Sequence, residues 1–446
     1  MLDIKYIRAN VAKVKGAAET KHFPADIDRL CVLDDRRKSI QQELDDLRRQ
    51  SNEMGQQMAL YRNPKSSWYQ RAVEGGMDPA LIQAEAADLQ RKLNAIKARS
   101  KDLDQQSKEV LAEFDALMLT VPQPPADDVP VGKDETENVE VRKVGERPAF
   151  DFAFKDHVAL GKELGIIDIE RGVKLGGTRN YVLKADGCLL HQAVLRLALD
   201  MMVERGFVPL TVPVLVRDAM MVGTGYYPGG EEQAYRCERD AMSLVGTAEV
   251  PLTAYHSDEI LEERELPKKY VAVSTCFRRE AGAAGKDTAG LYRVHVFDKV
   301  EQVIVCRNDE EVSIAHHQEI LANAEAVLAA LELPYRVVNV CTGDLGQGQV
   351  QKYDIETWMP SRESYGETHS ASRFYEFQAR RLRLRYREEA PGRKTRFCHT
   401  LNNTVIASPR ILIALLENHQ NADGSIRVPA ALRPYMYGKE QIGPGK

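Results

Sequence analysis

The chain has 446 residues, 43% hydrophobic and 28% charged, with a formal net charge of −5. That length gives two or three domains with ample core, and the composition is ordinary for a soluble protein. No apolar run approaches the ~18 residues of a helical membrane span, and the net charge provides no global field for nucleic acid.

The first residues, MLDIKYIRAN, lack the apolar segment of a secretory signal. Seven cysteines (Cys31, Cys188, Cys237, Cys276, Cys306, Cys341, Cys398) stand singly, none in CxxC spacing. Free thiols in a reducing cytosol are expected, rather than disulfides or zinc, and the localisation expected is cytoplasmic.

A short lead-in over residues 1–18 precedes a long helical pattern. Leu33, Ile40, Leu44, Leu47, Met54 and Met58 form a 4-3-4-3 ladder, with Arg37 and Ser51 as off-pattern rungs. A second ladder runs Ile82, Ala86, Leu89, Leu93, Ile96, Leu103, Val110, Phe114, Leu117, with Ser100 and Ser107 as its gaps. Alternating spacings of 3 and 4 are the coiled-coil signature. Asn63-Pro64, Gly75-Gly76 and Asp78-Pro79 must break the helix between them. Residues 28–118 therefore read as two antiparallel helices, each about 50–60 Å long. A hairpin that long should project, either as a dimerisation rod or as an arm that touches something large. Its tip, residues 61–79, is long for a simple connection.

VPQPP at 121–125 ends the arm, and an acidic, Pro-dotted linker runs to about Pro148. Residues 157–164 and 189–205 read as helices, and 206–216 as a strand entered by a turn. Residues 246–250 are a short apolar segment with one acid. Residues 270–277 and 292–300, rich in β-branched and aromatic side chains, read as two strands joined through Gly282, Gly285 and Gly290. Arg278, Arg279, Glu280, Arg293 and Glu301 place charge at their ends. A cationic strand pair under a Gly-rich loop suits a phosphorylated ligand, because the planar fork of Arg matches phosphate oxygens. Gly285-Lys286 is no P-loop: that motif needs Gly where Glu280 stands and Ser or Thr where Asp287 stands.

Residues 309–331 read as a helix, 337–341 as a strand, 343–348 as a Gly-rich turn and 353–358 as a strand. Residues 377–387 alternate strictly near their end, with Arg381, Arg383, Arg385 and Arg387 on one face and Leu382, Leu384 and Tyr386 on the other. A solvated basic face is the ordinary reading of such a run, and it also suits a polyanion. Residues 402–410 lead into an apolar helix over 411–418. His316-His317 has no ligand partner at useful spacing, so no metal is assigned there. Antiparallel strands with interspersed helices make the body α+β.

The run F-R-x-E-A-G…D-T-x-G-L-x-R-V-H-x-F-D-K-V-E over residues 277–301 resembles the second signature motif of seryl-tRNA synthetases, class II enzymes that attach serine to its tRNA. The resemblance begins at MLDIK and takes in the arm. It continues through TAEVPLT (247–253), CTGD (341–344), KYDIE (352–356), FQARR (377–381), NNT (402–404), Pro409-Arg410, LENHQ (416–420) and LRPYM (432–436). It implies a class II synthetase-like antiparallel sheet flanked by helices, preceded by the two-helix coiled-coil arm. It implies residues 1–121 as a tRNA-binding arm, 122–148 as a linker and 149–446 as the catalytic domain of a homodimer, with Pro213 at the interface. The implied chemistry is serine–tRNA ligation: ATP and L-serine give seryl-adenylate, and the seryl group passes to the 3′ end of tRNA(Ser), and of tRNA(Sec) where present.

By the same resemblance Arg278 and Arg410 are catalytic. Arg278 meets the α-phosphate, and Arg293 and Arg410 meet the outer phosphates of a bent ATP. Glu280 binds the adenine edge and Phe297 its face; Arg279, Thr368 and His369 complete the ATP set. Glu367 and Ser370, hard oxygen ligands, hold Mg²⁺. Thr247, Ala248, Glu249, Glu301, Asn402 and Thr404 form the serine pocket, where unpaired polar partners would reject alanine. The arm grips the long variable arm of the tRNA, with Arg36-Arg37-Lys38, Arg48-Arg49 and Arg91-Lys92 as its basic residues. After Glu367 the family has x-Ser-Ser-Cys-Ser-Asn, whereas this chain has Thr-His-Ser-Ala-Ser-Arg. His369 and Arg373 thus depart from the family beside the expected ATP and metal. A carrier-protein ligase would lack the arm. The departures and the long arm tip leave a divergent paralogue with a specialised role as the alternative, whereas a catalytically silent RNA-binding paralogue is opposed by retention of Arg278, Glu280, Glu301, Glu367, Ser370 and Arg410.

Overall fold

The computed structural model describes residues 1–282, 290–389 and 392–443. The loop residues Gly285 and Lys286 lie outside the described residues. The chain forms two units, Asp3–Val11 with Pro24–Val121, and Met1–Leu2 with Ala12–Phe23 and Pro122–Lys446.

The lead-in expected over 1–18 is helical, as α1 (Ile4–Ala9) and α2 (Val11–Thr20). The two ladders form α3 (Ile27–Arg62) and α5 (Pro79–Thr120). Every ladder residue is buried or half-buried. Fully burying a Leu or Ile contributes about 1.5–3 kcal/mol, so the seam carries the hairpin. Asp26 caps α3 by accepting from Arg29 N, and Asp78 caps α5 ahead of Pro79, whose missing N–H costs nothing at a helix start. Arg29 bridges to Glu113 at 2.7 Å and Arg99 to Glu43 at 2.7 Å. The off-pattern rung Arg37 places its guanidinium 4.8 Å from the Phe114 ring and pairs with buried Asp34 at 2.7 Å. The long tip holds a helix of its own, α4 (Ser67–Glu74), with Trp68 stacked 4.8 Å from Tyr61.

In the second unit an eight-stranded sheet runs β1 (Val139–Val144), β2 (Val208–Pro209), β3 (Lys268–Phe277), β4 (Val296–Cys306), β5 (Tyr335–Asn339), β6 (Gln351–Met359), β7 (Ser364–Arg373) and β8 (His399–Ser408). Their order is β1-β5-β6-β7-β8-β4-β3-β2, antiparallel except for the β2–β3 pair. Helices α6 (His157–Glu163), α7 (Ala185–Glu204), α8 (Glu249–Thr253), α9 (Glu310–Ala330), α10 (Phe377–Leu382) and α11 (Arg410–Asn418) accompany it. The main core joins Val271, Val300, Ile304, Leu401 and Val405 of the strands to Val194 and Ala198 of α7, Ile320 and Ala324 of α9 and Leu412 of α11. The α+β class and antiparallel sheet stand as expected.

Four local expectations change. β1, inside the stretch read as linker, pairs with β5 at the sheet edge. Residues 206–216 are not one strand: Pro209 and Pro213 lack the N–H a ladder needs, and the chain gives β2 and a separate strand Leu215–Arg217. The second hairpin strand begins at Val296, not Tyr292, and runs on to Cys306. Residues 377–382 are the helix α10, which Arg383 ends in a left-handed conformation (φ 54°), so only Arg385–Arg387 are a strand.

Candidate active site

β3 and β4 are the register the expected hairpin required, with Phe277 opposite Val296 and Ala272 opposite Glu301. Side chains alternate across a strand, so Phe297, Lys299 and Glu301 share the face of β4 away from Val300. There the Lys299 ammonium lies 2.7 Å from Glu301 Oε2. Thr404, opposite Glu301 across a bulge, donates its hydroxyl to the same oxygen at 3.3 Å. Glu301 is 2% exposed.

Glu249 opens α8, and Thr247 Oγ1 accepts from its backbone N–H at 3.1 Å. Gln378 Nε2 donates to Glu249 Oε1 at 2.7 Å and Tyr226 OH to Oε2 at 3.1 Å. Thr400 Oγ1 donates to Gln378 Oε1 at 2.7 Å and fixes that amide. Burial, with the charge of Glu301 added, pushes the Glu249 pKa up to about 7. Two buried carboxylates thus face one lysine, a pocket short of one positive charge.

Next to it opens a cavity of about 740 Å³, with Arg278, Arg293, Arg410, Glu280, Glu367 and Tyr226 in its wall. A smaller cavity of about 70 Å³ shares those three arginines and adds Phe297, Lys299, Thr368 and Thr404, joining the cationic wall to the carboxylate pocket. Arg278 follows β3, donates Nε to Gly246 O at 3.3 Å and lies 5.2 Å from the Phe297 ring. Arg410, first residue of α11, donates to Tyr292 O at 3.0 Å and to Glu367 O at 2.8 Å. Arg293 pairs with Glu280 at 3.3 Å.

β7 carries the next set through a bulge. Glu356 and Asp354, two apart on β6, oppose Glu367 and Ser370, while His369 opposes Ile355. Opposed residues share a sheet face. One extra residue, Thr368, therefore turns Glu367 and Ser370 to the same side, although three apart, and sends His369 to the core side with Ile355. The Glu367 side chain is 51% exposed. Desolvation by the surrounding cavity wall raises its pKa, but Arg410, Lys352, Arg278 and Arg293 outweigh that and hold it below the usual carboxylate range.

The structure so brings together Arg278, Glu280, Arg293, Phe297, Glu367, Thr368, Thr404 and Arg410, with Glu301, Thr247 and Glu249 directly behind them. Others stand elsewhere. Ala248 is buried in apolar packing with Leu252 and Val303. Asn402 is buried on β8 opposite Ser372, outside both cavity walls. The Arg279 side chain is exposed, and its backbone N–H donates to Gln233 O at 2.9 Å. His369, 1% exposed, points Nδ1 at Thr368 Oγ1 at 2.8 Å and is not brought to the cavity. Arg373, four residues on, is likewise buried, bonding Gln351 at 3.2 Å and Tyr375 at 3.3 Å. Both departures from the family pattern thus lie off the cavity.

Residues 1–125 match a family model described as the seryl-tRNA synthetase N-terminal domain, and residues 235–419 match the tRNA synthetase class II core domain (G, H, P, S and T). A serine–tRNA ligase of Deinococcus radiodurans is 46% identical over 99% of this chain and 99% of that protein. The chain belongs to the seryl-tRNA synthetase family. The serine–tRNA ligase of Rubrobacter xylanophilus is 42% identical over the full length of both. The crystal structure of a seryl-tRNA synthetase from Pyrococcus horikoshii complexed with ATP superposes with a TM-score of 0.89 at 36% identity, over 100% of both chains. The class II synthetase fold expected from the resemblance is therefore the fold observed. Three residues around the cavity and the carboxylate pocket carried no role in the sequence. Lys299 was signalled by alternation between Phe297 and Glu301; Gln378 stood inside FQARR without a role; Tyr226 had no sequence signal.

Proposed function

We propose that this chain is a serine–tRNA ligase that works through the cavity above. Supporting it most directly is the union of a carboxylate pocket one positive charge short with a wall of three guanidiniums: a small zwitterion on one side and a polyphosphate on the other. The serine ammonium supplies the missing charge to Glu249 and Glu301, and its hydroxyl meets the Thr404 and Glu301 oxygens. That leaves the carboxylate facing Arg278. A serine carboxylate oxygen attacks the α-phosphorus of ATP, and pyrophosphate departs. Arg278 stabilises charge on the α-phosphate, while Arg293 and Arg410 hold the β- and γ-phosphates; such chemistry needs positioning and charge neutralisation, with no protein nucleophile. Phe297 stacks on adenine and Glu280 accepts from its amino edge.

Mg²⁺ fits Glu367 and Ser370. The bulge turns both to one face, Glu367 is held ionised and reachable, and neighbouring Asp354 has a buried oxygen, Oδ1, without a hydrogen bond. Among the described residues no cluster of three His, Cys, Asp or Glu forms a complete cage, so the remaining ligands would be phosphate oxygens, as Mg²⁺ prefers. The ion's chemistry is to neutralise the phosphates. Residues 1–121 serve as the tRNA(Ser)-binding arm, also for tRNA(Sec) where present, and two copies pair as a homodimer around Pro213. Among the described residues no helix is long and apolar enough to cross a membrane. Serine-dependent ATP–pyrophosphate exchange together with serylation of tRNA(Ser) tests the function; exchange stimulated by another amino acid and not by serine would overturn it.

A further inference from the structure

We infer that His157, outside every motif of the site, is the positioning residue that fixes where the chain returns from the Gly-rich loop into the ATP cavity. The return segment is held on two consecutive residues. Leu291 N donates to His157 Nε2 at 3.2 Å, and Tyr292 O accepts from Arg410 Nε at 3.0 Å. His157 is itself held: Nδ1 lies 2.8 Å from Glu417 Oε1, and its backbone N–H donates to the same oxygen at 3.0 Å. A backbone N–H only donates and a carboxylate only accepts, so Nδ1 carries the proton and Nε2 presents the lone pair. The ring works as a neutral connector with one defined tautomer.

Glu417 and Arg410 lie two turns apart on α11. That one helix therefore grips the return segment directly through Arg410 and indirectly through Glu417 and His157. Glu417 is fully buried and also accepts from Ser361 N at 2.9 Å and Ser361 Oγ at 2.8 Å. Next along, Arg362 lies 4.1 Å from the Tyr292 ring centre, with Arg410 at 4.4 Å. Gly290 takes a left-handed φ of 66°, and a Cβ there would strike the His157 ring, so the close approach needs glycine. Behind Tyr292 lies a separate cavity of about 320 Å³, lined by His157, Gly290, Ser361 and Arg362. Leu291 is fully buried in the main core and Tyr292 packs against it, so packing holds the segment in place while the hydrogen bonds set its position beside that space. Tyr292 and Arg293 both belong to the wall of the 740 Å³ cavity. Losing the Leu291 bond would let them drift from the phosphates.

Two near-isosteric variants separate this role from a merely structural one. His157→Asn keeps a donor near the Nδ1 position for Glu417 and loses the acceptor for Leu291. His157→Gln keeps an acceptor at the Nε2 position and loses the bond to Glu417. ATP–pyrophosphate exchange with the full-length chain should show His157→Asn raising KM for ATP about tenfold, the scale of a buried donor left unpaired, with KM for serine within about twofold. His157→Gln should keep KM for ATP within about threefold of wild type. The opposite ranking, with His157→Gln the more damaged, or equal rises in both KM values, would overturn the inference. It rests on the cavity being the ATP site, which Arg410→Ala tests separately: if Arg410→Ala leaves ATP use intact, that assignment fails, whereas damage by Arg410→Ala with a silent His157→Asn fails this inference alone.

Discussion

Glu249 offers the sharpest pH test of the proposed serine pocket. Burial and the neighbouring Glu301 push its pKa up to about 7, while Gln378, Lys299 and Tyr226 pull the other way. An ammonium placed beside it favours the ionised form, so bound serine lowers that pKa and its binding releases a proton. Affinity must then strengthen as pH rises through 7 and weaken below it. With a free-enzyme pKa of about 7, the protonation factor on KM for serine is about 11 at pH 6 and about 1.1 at pH 8, an overall fall of about tenfold. The assay is ATP–pyrophosphate exchange at saturating ATP, with serine varied at each pH and KM for ATP measured alongside. Glu249→Gln removes the titrating group; it should bind serine more weakly at pH 8 and show a flat profile. A flat wild-type profile, or a slope that survives in Glu249→Gln, would refute the reasoning.

Thr404→Val keeps shape and loses the hydroxyl on Glu301; kcat/KM for serine should fall by about 1–3 kcal/mol of transition-state stabilisation, and discrimination against alanine should shrink with it. Arg278→Ala and Arg410→Ala should each slow adenylate formation about 10²–10³-fold in single-turnover assays, with melting curves unchanged in shape; near-wild-type adenylate formation in either would remove its phosphate role. Lys299→Met strips buried Glu301 of its partner and should cost about 3–5 kcal/mol of stability in denaturant titrations, with saturating serine raising the melting temperature more than in wild type.

The arm was legible because its signal is redundant: two ladders of about seven and about ten turns, and Asn63, Asp78 and Pro79 at its breaks. The tip helix α4 was not, since eight residues give too few turns for a period to stand out. β3 and β4 were legible from β-branched runs, whereas β1, only six residues in a Pro-dotted acidic stretch, gains its strand form from pairing with β5. Residues 377–387 misled because Arg/Leu alternation at 381–387 fits a strand, while the tertiary setting closes 377–382 into a helix. In the site, residue types at the motif positions identified the cationic wall and the two buried carboxylates, Glu249 and Glu301. The bulge on β7 was invisible: it depends on which residues of β6 oppose it. It alone decides that Ser370 faces the cavity side and His369 the core. Tyr226, on a distant irregular segment, reaches Glu249 only through tertiary folding.

The most direct test of the whole account separates the two units. Residues 28–118 are deleted and bridged by a short linker, and serine-dependent ATP–pyrophosphate exchange and tRNA(Ser) charging are measured on the same preparation. The chemistry assigned to Arg278, Glu301 and Arg410 predicts exchange largely intact. Binding of RNA by the arm predicts charging severely reduced through lost tRNA affinity, with the salt dependence of the full-length protein's tRNA binding absent. Full charging by the armless protein, or loss of exchange in a protein that still melts cooperatively, would contradict it.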